Sequence, residues 1–525
     1  MGNPTDEHVF ADRLLNGWLR SVGLDIAYTR AEGNTLYFVD EDGQEVAVLD
    51  HVSGFGSLIF GHNHRGITEY AKSVLDQQVP VFVQLSRQPR ANDIAAVLNG
   101  ILRRETNEDH HYAAIFANSG AEAIEICLKH AELERQARVA QLIDDVGAHI
   151  EEARAEVRAG RATVAGNPYV PVGDGPDGSD ALASLIAEIE RRNARLMTKE
   201  PVHLALENAF HGKLVASVQL TQNPSWRTPF TSLASSTRFL RADQPDTMAK
   251  AVEDLRESLL DVVVSDGEVR VVERDFPVIG AFFVEPVQGA NGMRPVTEAA
   301  ARAIRALCDA VGCPLVVDEI HSGMGRTGAF LASSHMGLQG DYYALAKSIG
   351  GGVAKNSVAL FRQDRFRPEF EVMHSSTFAK DGFSGAIALK VLEMLEADDG
   401  RAYEVAAERG NRLKDMLNSV KSDFPDVVDT VEGIGLMLAL EFRDHSTVSS
   451  EAMQEKARSG MLGYLIAAYV LREHRIRVLP IGPAGNSLRF EPSLFLTDED
   501  VARTDSALRD VCTILRNQDA HRLTP

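Results

Sequence analysis

The 525-residue sequence predicts an α/β protein: a largely parallel sheet covered by helices on both faces, with a smaller α+β unit after it. Three observations predict this. Short apolar runs recur at 112–120 (YAAIFANSG), 202–212 (VHLALENAFHG), 278–286 (VIGAFFVEP) and 314–323 (PLVVDEIHSG). Each ends in a polar or glycine-rich turn and is followed by helical periodicity, the pattern of strands buried on both faces. After residue 385 the order changes to helix, helix, strand (GLMLALEF, 435–442), helix, strands near 476–479 and 487–491, and a last helix from about 498. In parallel sheets ligands sit beyond the carboxyl ends of strands, so the chemistry is expected just after the apolar runs.

Composition narrows the classes. Hydrophobic residues are 44% and charged residues 25%, which excludes a disordered chain, a collagen and a disulfide miniprotein. The net charge of −21, with no run of Lys or Arg, argues against a nucleic-acid partner. No apolar stretch approaches the length of a membrane span. Residues 1–18 (MGNPTDEHVFADRLLNGW) carry acidic groups and no apolar core, so no signal peptide is expected, and Asp6 breaks the myristoylation pattern. Cys127, Cys308, Cys313 and Cys512 form no CxxC and read as idle thiols in a reducing compartment, so a cytoplasmic protein without metal is expected.

Along the chain, 35–52 reads as a hairpin turning at Glu41-Asp42-Gly43. Residues 128–200 read as an insertion. Val139, Leu142, Ile143, Val146, Ile150, Ala153 and Val157 recur at three- and four-residue spacing on one helix face. A loop rich in Gly, Pro and Asp (166–180) follows, and Ser179 or Asp180 caps a second helix carrying Leu182, Leu185, Ile186 and Ile189. The segment is expected to be a solvated surface hairpin; a partner contact is the other reading.

Four places could carry chemistry. Lys347, in ALAKSIGGG (344–352), lies between apolar residues, and a lysine in such a place must snorkel, pair or react. Asp318 ends an apolar strand, where a carboxylate needs a cationic partner. Ser119-Gly120, in NSGAEAIE, opens a helix, which is either an ordinary cap or an anion site. Phe210-His211-Gly212 ends another strand, where an aromatic is either core or a platform for a flat ligand. Gly323, Gly325 and Gly328 also spell GxGxxG, with Asp341 downstream, so a nicotinamide site is a rival reading. A lysine for a Schiff base, a carboxylate for a ring nitrogen, N–H donors for a phosphate and a flat apolar face together are what pyridoxal phosphate requires.

The motifs NSGAEAIE, FHGK, FVEPVQG, VVDEIHSGMGRTG, ALAKSIGGG, HSSTF and LRFEPSL, in this order, resemble the class III aminotransferases of pyridoxal-phosphate fold type I. The likeness runs from about Asp50 to about Leu494, without the insertion. It implies a large domain with a mostly parallel seven-stranded sheet (61–384) and a small α+β domain built from residues 1–60 and 385–525. It implies pyridoxal 5′-phosphate held by Ser119, Gly120 and Ala121 at the phosphate, and by Phe210, His211, Glu285, Asp318, Ile320 and His321 around the ring. Lys347 would carry the aldehyde and shuttle the Cα proton, with Asp318 as its catalytic companion at the ring nitrogen. Thr377 would reach the phosphate of a neighbouring subunit, which implies a homodimer with shared sites. Arg489 would clamp a substrate carboxylate, with Phe55 beside the substrate. The implied reaction moves an amino group between an amino donor and a keto acid; the resemblance also admits decarboxylation, racemisation, aminomutase or lyase chemistry.

Three departures stand out. His321 replaces the family's usual glutamine. Ala290 stands where many members have a glutamate that masks the carboxylate-binding arginine, and Glu491 is the nearest replacement along the chain. AKDGFSG (379–385), Val353-Ala354-Lys355 and Arg65 replace family glycines and prolines around the pocket.

Overall fold

The computed structural model describes residues 11–169, 179–482 and 485–524. The extreme N-terminus and most of the 166–180 loop lie outside the described residues.

Seven strands form the central sheet: β1 (Tyr112–Ala117), β2 (Val202–Leu206), β3 (Thr237–Leu240), β4 (Ile279–Val284), β5 (Leu315–Asp318), β6 (Tyr342–Leu345) and β7 (Ser357–Arg362). Their order is β1-β7-β6-β5-β4-β2-β3. All neighbours are parallel except β7, which is antiparallel to both β6 and β1. Every residue of β4 is buried, as a continuous apolar run between two helical layers requires. Phe282 and Phe283 point to opposite faces and enter two different cores. Full burial of each such side chain stabilises the fold by roughly 1.5–3 kcal/mol.

Helix α1 (Gly120–Arg158) starts immediately after β1 and runs on for 39 residues, so the expected insertion helix is its continuation. Val139, Val146, Ile150, Ala153 and Val157 are buried as the periodicity predicts, but Leu142 is only half-buried and Ile143 is exposed. Helix α2 (Ser179–Met197) buries Leu182, Leu185, Ile186 and Ile189. The pair is not a free-standing hairpin. Strands Glu257–Ser265 and Glu268–Phe276 turn at Asp266-Gly267, both at positive φ. Thr163–Val164 extends this hairpin to three strands. Leu259, Leu260, Val262, Val269 and Phe276 complete the helices' core.

The glycines of GMGRTG open no helix; residues 320–330 are turns and bends. Gly325 (φ 89°) lies against Tyr403 and Gly328 (φ 92°) against Ala407, so these glycines allow close packing and the nicotinamide reading loses its structural context.

Beyond the sheet, the segment Gly382–Asp423 is two helices broken at Ala397–Gly400. A four-stranded sheet follows, Val428–Ile434, Met437–Phe442, Ser487–Phe490 and Leu479–Ile481 in that spatial order. The strand expected from 435 starts at Met437, because Gly435, at φ 56°, makes the turn. The N-terminal hairpin Thr35–Val39 and Glu45–Asp50 pairs through Leu49 with Ile476, which ties the two ends of the chain together. Among the described residues no helix is long and apolar enough to cross a membrane, and no cluster of His, Cys, Asp and Glu is arranged to hold a metal. All four cysteines are free and buried.

Candidate active site

The site forms where β1, β2, β4, β5 and β6 end. Asp318 closes β5 and is buried. Its Oδ1 accepts from the Ile320 N–H at 3.1 Å, and its Oδ2 faces His211 Nδ1 at 2.7 Å. Burial alone would depress the His211 imidazole; the bond to Asp318 more than offsets it, and the pKa stands above its ordinary value. His211 Nε2 is buried without a partner among the described residues.

Glu285 follows β4 and accepts from the N–H groups of Phe210 (2.9 Å) and Gly289 (3.3 Å). It therefore holds the Phe210 loop against the strand end. Burial pushes its carboxyl up to about 7, with His211 acting in the opposite direction. The Phe210 ring is 36% exposed and meets Trp226 edge-on at 5.9 Å.

The N-terminus of α1 closes the next side. Ser119 caps it, accepting from the Glu122 N–H at 3.4 Å, while Glu122 takes the Ser119 hydroxyl at 2.7 Å. The first N–H groups of a helix have no intrahelical partner and favour an anion. A Cβ on Gly120 would lie 2.8 Å from Ile320 Cγ2, and one on Gly212 would lie 2.8 Å from Ala121 Cβ. The glycines thus bring Ile320 and the Phe210–Gly212 loop up to the helix start.

Lys347 begins a short 3₁₀ turn just past β6 with φ 51°, a conformation that strains a lysine and is over-represented at functional sites. Burial pulls its ammonium pKa down to about 8, against the raising influence of Glu491 and Asp318.

Arg489 lies on the strand Ser487–Phe490, with its guanidinium 4.8 Å over the Phe55 ring and Nη1 donating to Glu491 at 3.0 Å. His321 hydrogen-bonds the other oxygen of Glu491. Burial pulls His321 down to about 4; Glu491, although buried, is held below the usual carboxylate range by His321 and Arg489. The pair is therefore a neutral imidazole donating to an ionised carboxylate.

Thr377 is the member not brought in. It sits in an exposed turn, its carbonyl accepting from Gln84 at 3.0 Å. Its neighbour Ser376 does reach the site's edge, accepting from Asn118 at 3.1 Å.

Sequence reasoning did not find two supporting groups. Arg326 is fully buried and donates to the carbonyls of Gly56, Leu436 and Pro492, which locks the N-terminal loop to the small sheet. Glu319 accepts from the Ser333 N–H and the Ser322 hydroxyl. The available signal was a charged residue inside a run that is otherwise small or apolar.

These residues fit pyridoxal phosphate. There are helix N–H groups without a partner among the described residues for a phosphate, a buried carboxylate hydrogen-bonded to a buried imidazole, an apolar wall at Ile320, and an amine of lowered pKa.

The comparisons agree. The chain matches Aminotransferase class-III over residues 20–512. It is 27% identical over 492 residues to a putrescine aminotransferase of Pectobacterium atrosepticum, covering 92% of this chain and 81% of that one. The ornithine aminotransferase of Toxoplasma gondii superposes with a TM-score of 0.66 at 19% identity, covering 97% of each chain. An amine transaminase from an uncultivated Pseudomonas species, solved with pyridoxal phosphate, gives 0.65 at 22% identity, covering 98% of each. A match across nearly the whole chain, over a fold type I sheet with a lysine and an aspartate at its strand ends, has one meaning: the protein belongs to the class III aminotransferases, which use pyridoxal 5′-phosphate to move an amino group from a donor to a keto acid.

Proposed function

We propose that Lys347 is the amine that receives the cofactor aldehyde and then moves the proton at the substrate Cα. The observation that carries this is Lys347 itself: a strained lysine at a strand end, with its pKa lowered to about 8, in the field of Asp318 and Glu491. An amine with a pKa near the working pH suits both tasks. The bound cofactor supplies a carbonyl that carries the amino group and a ring that draws electrons from Cα. The protein supplies the rest. Asp318, braced by His211, would hold the ring nitrogen. Ser119, Gly120 and Ala121 bind the phosphate through the start of α1. Phe210 and Ile320 would wall the ring, His321 would offer a hydrogen bond to it, and Glu285 holds the Phe210 loop in place. Arg489, backed by Phe55, binds a substrate carboxylate.

The donor is an amino acid or a primary amine and the acceptor a 2-keto acid. Relatives that act on putrescine, ornithine and amines support that range. A screen of such donors against 2-oxoglutarate and pyruvate, read by mass spectrometry, should show carbonyl product and new amino acid in equal amounts. Carbon dioxide release or racemisation without amino transfer would overturn the reading.

The working unit is a homodimer. Support comes from an exposed apolar patch: Phe82 and Phe378 stack edge-on at 5.4 Å, with Val83, Leu85, Val372 and Met373 also exposed nearby in sequence. Thr377 lies in the same segment, so pairing two copies through it would carry this residue toward a neighbour's phosphate. Light scattering should give a dimer mass, and Thr377→Ala should weaken cofactor retention. Four buried free thiols support a cytoplasmic setting.

A further inference from the structure

Arg489 lies on the strand Ser487–Phe490 and Glu491 follows that strand's last residue, so the expected strand ends one residue short of Glu491, whose carboxylate still meets the Arg489 guanidinium. Glu491 is held from three directions. Its Oε2 accepts from Arg489 Nη1 at 3.0 Å, its Oε1 is taken by His321 Nε2, and its own N–H donates to the His51 carbonyl at 2.7 Å. Two glycines make the room. A Cβ on Gly56 would lie 2.7 Å from Glu491 Oε1, and one on Gly289 would lie 2.4 Å from His321 Nδ1. Gly56 is itself clamped, its carbonyl accepting from Arg326 and Ser348, each at 3.2 Å. To leave Arg489, Glu491 would have to move a fully buried carboxylate away from both of its partners. The other edge of the guanidinium is different. Nε is buried without a partner, and Nη2 donates to no other group among the described residues.

We propose that Glu491 is a fixed counter-ion that makes Arg489 a stationary receptor with two assigned edges. The Nη1 edge belongs permanently to Glu491; the Nε–Nη2 edge takes the carboxylate of the keto acid or amino acid in the bidentate manner that guanidinium favours. Amine donors without a carboxylate bind beside an arginine that is already neutralised, so the pocket serves both substrate classes without a side-chain exchange. The proposal rests on the role given to Arg489 above and deepens it. It makes Glu491 a positioning residue that sets the balance between carboxylate-bearing and carboxylate-free substrates.

The test uses the holoenzyme and glutarate, an unreactive dicarboxylate, with binding measured by calorimetry. Glu491→Gln keeps the shape and the acceptor oxygen but removes the charge that competes with the ligand. Glutarate should then bind about tenfold tighter, KM for 2-oxoglutarate should fall in proportion, and KM for a diamine donor should rise. His321→Gln leaves the Glu491 charge in place and should give no such gain. Glu491→Met, of similar volume, repeats the measurement should the glutamine variant not fold. Unchanged or weaker glutarate binding in folded Glu491→Gln, with binding still lost in Arg489→Gln, would overturn the fixed counter-ion and leave the Arg489 assignment standing. Wild-type glutarate binding in Arg489→Gln would overturn that assignment itself, and the proposal with it.

Discussion

His211 Nδ1 and Asp318 Oδ2 lie 2.7 Å apart, joining the loop after β2 to the end of β5. The contact gives the buried carboxylate a hydrogen-bonding partner, and it leaves Oδ1 on the Ile320 amide. Asp318→Asn keeps the shape and removes the charge. Transamination should fall by about 10²–10³-fold, the usual contribution of one preorganised electrostatic group. The His211 pKa should drop, because burial is then opposed by Glu285 alone; NMR titration of the imidazole checks this.

Lys347→Ala should abolish turnover while circular dichroism and the melting curve stay those of a folded protein. In the cofactor-free protein, the neutral amine dominates above about 8. Modification of Lys347 by trinitrobenzenesulfonate should therefore rise through that pH and level off, well before an ordinary lysine would. Mass mapping across a pH series measures the midpoint, and a midpoint near 10.5, the ordinary value, would contradict the site's electrostatics.

Glu285 predicts a pH-dependent stability. Its folded pKa of about 7 lies above the ordinary 4.5. Between those values the folded state holds a proton that the unfolded state has released, so stability falls as pH rises through this window and is flat above it. The loss is at most about 3 kcal/mol, from 1.36 kcal/mol per pKa unit. Glu285→Gln should flatten this stretch of the profile, measured as urea midpoints from about pH 5 to about pH 8.

Gly120→Ala puts a methyl 2.8 Å from Ile320 Cγ2. Ile320 must then shift, and overpacking of this kind costs about 1–3 kcal/mol. Cofactor affinity, measured by fluorescence titration, should fall by about tenfold or more. Ser119→Ala should cost the fold about 1 kcal/mol through the lost cap, visible in the melting temperature of the cofactor-free protein.

The sequence by itself determined the parts whose physics is local. The apolar runs that became β1, β2, β4 and β5 were legible because strands buried on both faces need unbroken hydrophobic residues, and Asp318, Ser119 and Lys347 were legible because each interrupts such a run at its end. Helix faces at Val139–Val157 and Leu182–Ile189 followed from periodicity, although Ile143 is exposed. Tertiary structure alone decided what those helices pack on: the Glu257–Phe276 hairpin begins 60 residues after the second helix ends at Met197 and alternates only weakly, so no local pattern links them. It also decided that Glu491 reaches His321 as well as Arg489. Two hydrogen-bonding residues 170 positions apart leave no mark on their own neighbourhoods. A buried polar pair exists only when the chain has closed around it, since the energy that holds it comes from excluding water and from the fit of Gly56 and Gly289 on either side.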